Sequence, residues 1–173
     1  DNDYTNEFEG VDTFVHLASH TPNPPYDSLE RCLYWNVYTS VKLARQAHDA
    51  GVKNFIIAGT CTEYGEACQK FDFLSPETPL EPTLSYPTSK AAASIAFTGL
   101  ARELDLKLKI LRIFQVYGEG ESERRLWPAL RKAALAGEDF PMSPGEQIRD
   151  FIDVTEVTRQ LIAHLDFTTI KEG

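Results

Sequence analysis

Tyr86 and Lys90, in the segment Tyr86-Pro-Thr-Ser-Lys90, set a phenol and an ammonium four residues apart. On a helix that spacing puts both on one face. A neighbouring positive charge stabilises a phenolate, which would lower the tyrosine pKa and make it a usable general base near neutrality. The same spacing recurs at Tyr38 and Lys42, so the motif alone does not choose between the two pairs. Position does. Tyr38 and Lys42 fall between the apolar positions of their helix and read as a solvated pair, whereas Tyr86 and Lys90 open a helix directly after a long loop. Upstream, Thr60 follows an apolar run and offers a hydroxyl that can hydrogen-bond an oxygen the tyrosine deprotonates.

The elements that must position these groups are legible as periodicities. Thr13 to Ala18 is a short β-favouring apolar run ending in a polar, proline-rich loop from Ser19 to Asp27. Asp27, with Glu30 three residues on, predicts the start of a long amphipathic helix, which keeps Leu29, Leu33, Asn36, Val37, Ser40, Val41, Ala44 and Ala47 at helical spacing until Gly51. A second buried strand is predicted over Asn54 to Ala58, followed by a long polar segment from Gly59 to Thr83. A second helix should begin near Pro87 and reach about Leu104, and a third strand should occupy Leu108 to Ile113. Shorter elements follow: a helix over Glu123 to Ala136, an extended piece over Ile148 to Ile152, and a helix capped by Asp153. Strand, helix, strand, helix, strand is the order of a parallel sheet with crossover helices. In such a sheet the loops after Ala18, Ala58 and Ile113 converge on one crevice.

Composition bounds the function. A net charge of −9 over 173 residues argues against non-specific nucleic-acid binding, which needs a basic surface. The cluster Arg124, Arg125, Arg131, Lys132 and Arg149 suits either a local diphosphate pocket or solvated surface charge. Cys32, Cys61 and Cys68 form no CxxC pair, so neither a disulfide framework nor a zinc site or other metal centre is suggested. Nothing in the chain reads as a membrane span or a signal peptide, and a cytoplasmic location without membrane partners is expected.

Four ordered segments carry a resemblance: Phe55-Ile-Ile-Ala-Gly-Thr-Cys-Thr-Glu-Tyr-Gly65, Tyr86-Pro-Thr-Ser-Lys90, Leu111-Arg-Ile-Phe-Gln-Val-Tyr-Gly118 and Arg149-Asp-Phe-Ile-Asp-Val154. Together they resemble consecutive motifs of the extended short-chain dehydrogenase/reductase family, which includes nucleotide-sugar epimerases, 4,6-dehydratases and deoxysugar reductases. The resemblance implies an α/β fold with a Rossmann-like parallel sheet, partial in this chain, plus part of a small C-terminal substrate-binding region. Residues 1–113 would be the later part of the dinucleotide-binding domain, and residues 114–173 a mixed substrate-binding segment with returning sheet and helix elements. It implies Thr60, Tyr86 and Lys90 as catalytic residues. Leu17, Ala18, Ser19, Asn36, Tyr86 and Lys90 would lie at an NAD or NADP cofactor, with His16 in the same strand-end loop. Thr60, Gln115 and Arg149 would face a nucleotide-sugar substrate. Without the family, Asn36 reads as a satisfied polar group between helices and His16 as a locally packed strand-end histidine.

Several departures refine this picture. Gln115 stands where many relatives carry asparagine. No glycine-rich GxxGxxG turn occurs in the chain, so a fragment lacking the N-terminal part is expected. Related 4,6-dehydratases place an aspartate and a glutamate directly after the threonine, where this chain has Cys61 and Thr62; Glu63, one position later, should point to the other side if the segment is extended. The expected activity is therefore nucleotide-sugar epimerisation, with 4-keto-deoxysugar nucleotide reduction as the alternative and a homodimer as the assembly. A non-catalytic relative that binds a nucleotide or a protein is the reading from another class.

Overall fold

The three apolar runs become parallel strands in the order β1 (Thr13–His16), β2 (Asn54–Thr60), β3 (Lys107–Ile113). The register sets Thr13 against Asn54 and Thr60 against Ile113. The strands' C-terminal ends therefore share one edge, where α/β sheets gather their ligand-binding loops. The computed structural model describes residues 2–168, which fall into two units: residues 2–113 with 164–168, and Phe114–Ala163.

In the first unit, Phe14, Phe55 and Ile57 on one face of the sheet meet Ala44, Ala47, Ala93, Phe97 and Leu100 from the crossover helices. Phe55 and Ile57 are almost wholly excluded from water, and each such burial is worth about 1.5–3 kcal/mol. The second crossover helix, α3 (Ser85–Leu104), begins two residues before Pro87 and stops at Asp105, which takes a left-handed φ of 51°.

The first crossover differs from the single helix that the periodicity predicts. Its N-cap is Ser28 rather than Asp27: the Ser28 hydroxyl accepts from the Arg31 amide at 3.3 Å. Asp27 instead accepts from the Ser28 amide and pairs with His20 and Arg31. The helix then runs as α1 (Leu29–Leu33), a π-helical segment (Tyr34–Thr39) and α2 (Ser40–Asp49). The hydroxyls of Thr39 and Ser40 both donate to the Trp35 carbonyl, at 2.6 and 3.0 Å, supplying partners where the turn is wide. Apolar periodicity does not reveal such a turn, because it keeps the buried face on both sides.

The stretch from Gly59 to Thr83 contains two 3₁₀ turns, Cys61–Tyr64 and Glu66–Gln69. Tyr64 and Ala67 are buried, and the Tyr64 hydroxyl donates to the Ser75 carbonyl at 3.0 Å. Gly65 has φ of 52° and lies against Glu81 so closely that a Cβ would stand 1.9 Å from the Glu81 carbonyl oxygen.

The second unit pairs β4 (Gln115–Tyr117) in parallel with β5 (Phe151–Asp153), with helices α4 (Leu126–Ala136) and α5 (Val154–Ala163). The Asp153 carboxylate accepts from the Thr155 amide at 2.8 Å, capping α5 as its sequence predicts. Residues 164–168 return to the first unit, where the Lys109 ammonium donates to the His164 carbonyl at 2.9 Å. Among the described residues no helix is long and apolar enough to cross a membrane.

Candidate functional site

Thr60 ends β2 at the point where the chain tightens into the Cys61–Tyr64 turn. Its hydroxyl accepts from the Thr62 amide at 3.3 Å and shares a 3.1 Å hydrogen bond with the Thr62 hydroxyl. Because the segment turns rather than extends, Glu63 does not point away. It folds back beneath Thr60, wholly buried, and its Oε1 accepts from the Thr60 amide at 2.8 Å. Its Oε2 accepts from the Ser94 hydroxyl at 2.7 Å and from Arg112 Nε at 3.1 Å. The Thr-x-x-Glu spacing of a capping box carried this signal, at a 3₁₀ turn rather than a longer helix.

Tyr86 lies in the first turn of α3, buried, with its ring 5.3 Å from that of Tyr26. Lys90, one turn on and also buried, donates to the Ala58 carbonyl of β2 at 2.8 Å. The electrostatics depart from expectation. Burial raises the pKa of Tyr86 above its ordinary value, and Tyr26, Glu63 and Cys61 push the same way, while the Ser19 side chain opposes them by hydrogen bonding. The phenol is thus held in its protonated form, not lowered toward phenolate. Burial pulls the Lys90 pKa down, and the Glu63 carboxylate pushes it back up.

His16 closes β1, buried against Phe14 and Phe97. Burial and the nearby Lys90 charge depress its pKa to about 4, so it is neutral at physiological pH. Leu17 is exposed, while Ala18 and Ser19 line a cleft of about 590 Å³ together with His16, His20 and Asn36. Asn36 sits in the π-helical segment. Its Oδ1 accepts from the His20 amide at 2.7 Å, and its Nδ2 donates to the His20 carbonyl at 3.3 Å and to the Ser89 hydroxyl at 2.9 Å. Ser89 in turn donates to the Tyr86 carbonyl at 2.8 Å. Asn36 therefore braces the loop after β1 against the turn that carries Tyr86.

The structure thus gathers His16, Ala18, Ser19, Asn36, Thr60, Tyr86 and Lys90 at one end of the first unit's sheet. Gln115 and Arg149 belong to the second unit. There the Gln115 backbone N–H donates to the Asp150 carbonyl at 3.1 Å, the side-chain Oε1 of Gln115 accepts from Arg125 at 3.4 Å, and Arg149 is exposed just before β5. Tyr26, Ser89 and Arg112 were not anticipated as site residues. Ser89 lies inside the Tyr86–Lys90 segment, but no spacing rule marks Tyr26 or Arg112. Tyr38, by contrast, is exposed and stacks on Tyr34 at 5.6 Å, as a surface residue would.

The sequence pattern described as the NAD dependent epimerase/dehydratase family matches residues 2–171. A dTDP-D-glucose 4,6-dehydratase of Homo sapiens is 29% identical over 176 residues, covering 96% of this chain and 46% of that protein. A UDP-glucose 4-epimerase of Corynebacterium glutamicum is 28% identical over 177 residues, covering 92% of this chain and 52% of that protein. Among solved structures, TunA, an NAD-dependent NDP-hexosamine 5,6-dehydratase involved in tunicamycin biosynthesis, superposes with a TM-score of 0.84 at 29% identity, covering 94% of this chain and 54% of that one. The chain spans about half the length of the curated relatives it matches.

Proposed function

Since the chain belongs to the NAD-dependent epimerase/dehydratase family, we propose that it carries the proton-transfer machinery of a nucleotide-sugar epimerase, with Thr60, Tyr86 and Lys90 as the catalytic set. The observation that carries this reading is the junction of β2 with α3, where Thr60, the buried Tyr86 and a Lys90 tied to the Ala58 carbonyl meet at one sheet edge. Thr60 would orient a sugar hydroxyl, and Tyr86 would exchange its proton with that oxygen. Residues of the loop after β1 (Leu17, Ala18, Ser19), with Tyr86 and Lys90, would hold the nicotinamide end of the cofactor, for which the cleft beside His16 and Asn36 offers concave space. When bound, that group takes up and returns a hydride. Asn36, fully engaged with His20 and Ser89, serves as a brace. Gln115 and Arg149 are the chain's candidates for the nucleotide part of the substrate. The exposed Tyr34, Tyr38 and Ile95 favour a homodimer as the assembly.

One observation favours 4-keto-deoxysugar reduction as a second reading. A reductase needs its tyrosine only as an acid, and the raised pKa of Tyr86 keeps it in that form. Elimination of water is disfavoured in either case. It needs an acid for the leaving hydroxyl and a base for a carbon-bound proton. Cys61 and Thr62 supply neither, and Glu63, the carboxylate beneath Thr60, is buried with both oxygens engaged. Incubation of the full-length protein with NAD and a panel of nucleotide hexoses should give products of unchanged mass for epimerisation, or two hydrogens heavier for reduction of 4-keto sugars with NADH. A product lighter by one water would overturn the reading.

A further inference from the structure

We infer that Glu63 is the positioning residue of this site, acting through Thr60: its buried carboxylate fixes the Thr60 backbone to β3 and α3 and so sets where the Thr60 hydroxyl stands. The inference rests on the proposed role of Thr60 at the substrate.

Glu63 spans three elements from one turn. Oε1 holds the Thr60 amide at 2.8 Å, and Oε2 is shared between Ser94 on α3 and Arg112 on β3, at 2.7 and 3.1 Å. Arg112 is itself held by the Pro76 carbonyl at 3.0 Å and the Tyr64 hydroxyl at 3.3 Å, with its guanidinium over the Tyr64 ring. The fit is tight. A Cβ on Gly59 would stand 2.7 Å from Glu63 Oε1 and 3.1 Å from Arg112 Cγ, so the residue before Thr60 leaves the carboxylate the space a side chain would fill. The Thr60 hydroxyl is fixed from the other side by Thr62. A buried ion pair is poor value as a purely stabilising device, since well-packed apolar residues often do as well. A carboxylate can instead impose direction: it takes the Thr60 amide along one line and ties it to two neighbouring elements.

The test has a spectroscopic arm and a kinetic arm. In Glu63→Gln the neutral amide is a weaker acceptor, so the Thr60 amide proton resonance should move upfield and its hydrogen exchange should quicken about ten-fold or more, while amides of β1 stay where they are. Glu63→Asp keeps a charge for Arg112 but falls one methylene short of the Thr60 amide, and should show the same signature; it also serves if Glu63→Gln does not fold. In the full-length protein, assayed with NAD and UDP-glucose, Glu63→Gln should lower kcat about ten- to a hundred-fold with KM changed less than about two-fold. The same substitution in a Thr60→Val background should cost little more, because both act through one hydroxyl. An unchanged Thr60 resonance in both Glu63 variants overturns the inference, as does a kcat loss that persists undiminished when Thr60 is already Val. Absence of turnover in the unsubstituted full-length protein would count against the proposed function alone, since the spectroscopic arm still decides the clamp.

Discussion

Replacing Tyr86 by Phe removes the hydroxyl but keeps the ring that packs against Tyr26, so the variant separates chemistry from packing. Tyr86→Phe should lower turnover by about two to four orders of magnitude, the usual contribution of a placed acid or base, whereas Tyr38→Phe, on an exposed side chain, should change it little. Equal behaviour of the two in a steady-state assay would assign the wrong tyrosine. His16 makes a different prediction, about stability. Its folded-state pKa of about 4 lies below the unfolded value of 6.5, so on acidification the unfolded chain takes up the proton first. The contribution is complete above pH 6.5 and is lost as pH falls toward 4. Urea denaturation across that window should show a loss of up to about 3 kcal/mol. His16→Phe, which keeps an aromatic ring beside Phe14 and Phe97, should flatten that slope.

At the scale of elements, the turn after Thr60 depends on Gly65. Alanine there meets both a left-handed φ of 52° and the Glu81 carbonyl oxygen 1.9 Å from its Cβ. Gly65→Ala should therefore cost about 2–4 kcal/mol in a denaturant melt. Gly51→Ala, where φ is 102° but no atom lies within 4 Å of the Cβ, should cost only the conformational part. These turns mark where sequence reading stops. Strands β1 and β2 were legible because buried strands leave short apolar runs bounded by polar loops, to which Phe14, Phe55 and Ile57 belong, and helix α3 because Pro87 and an alanine-rich stretch mark it. The π-helical segment was not, since its signal is a set of hydrogen bonds from Thr39 and Ser40 to Trp35. The positions of Thr60, Tyr86 and Lys90 could be anticipated from strand ends and spacing, but the raised pKa of Tyr86 could not. It depends on burial and on Tyr26, Glu63 and Cys61, which only the folded chain brings near.

At the scale of the whole chain, having no GxxGxxG turn within these 173 residues has a measurable consequence. The 173-residue chain by itself lacks the backbone amides that hold a dinucleotide diphosphate in this fold, so calorimetry should find NAD binding weak or undetectable; micromolar affinity would show that other residues do that work. The path of the chain has a consequence of another kind. It leaves the first unit after Ile113 and comes back at His164, where Lys109 of β3 takes hold of the returning carbonyl. Phe114 to Ala163 is thus an excursion between two stretches of the first unit. Closing a flexible excursion costs an entropy that grows only with the logarithm of its length, about 0.6 kcal/mol per doubling. Lengthening, shortening or exchanging that segment between relatives therefore puts little strain on the sheet that carries Thr60, Tyr86 and Lys90, and the part of the chain that holds Gln115 and Arg149 is free to diverge while the proposed proton-transfer site stays as it is.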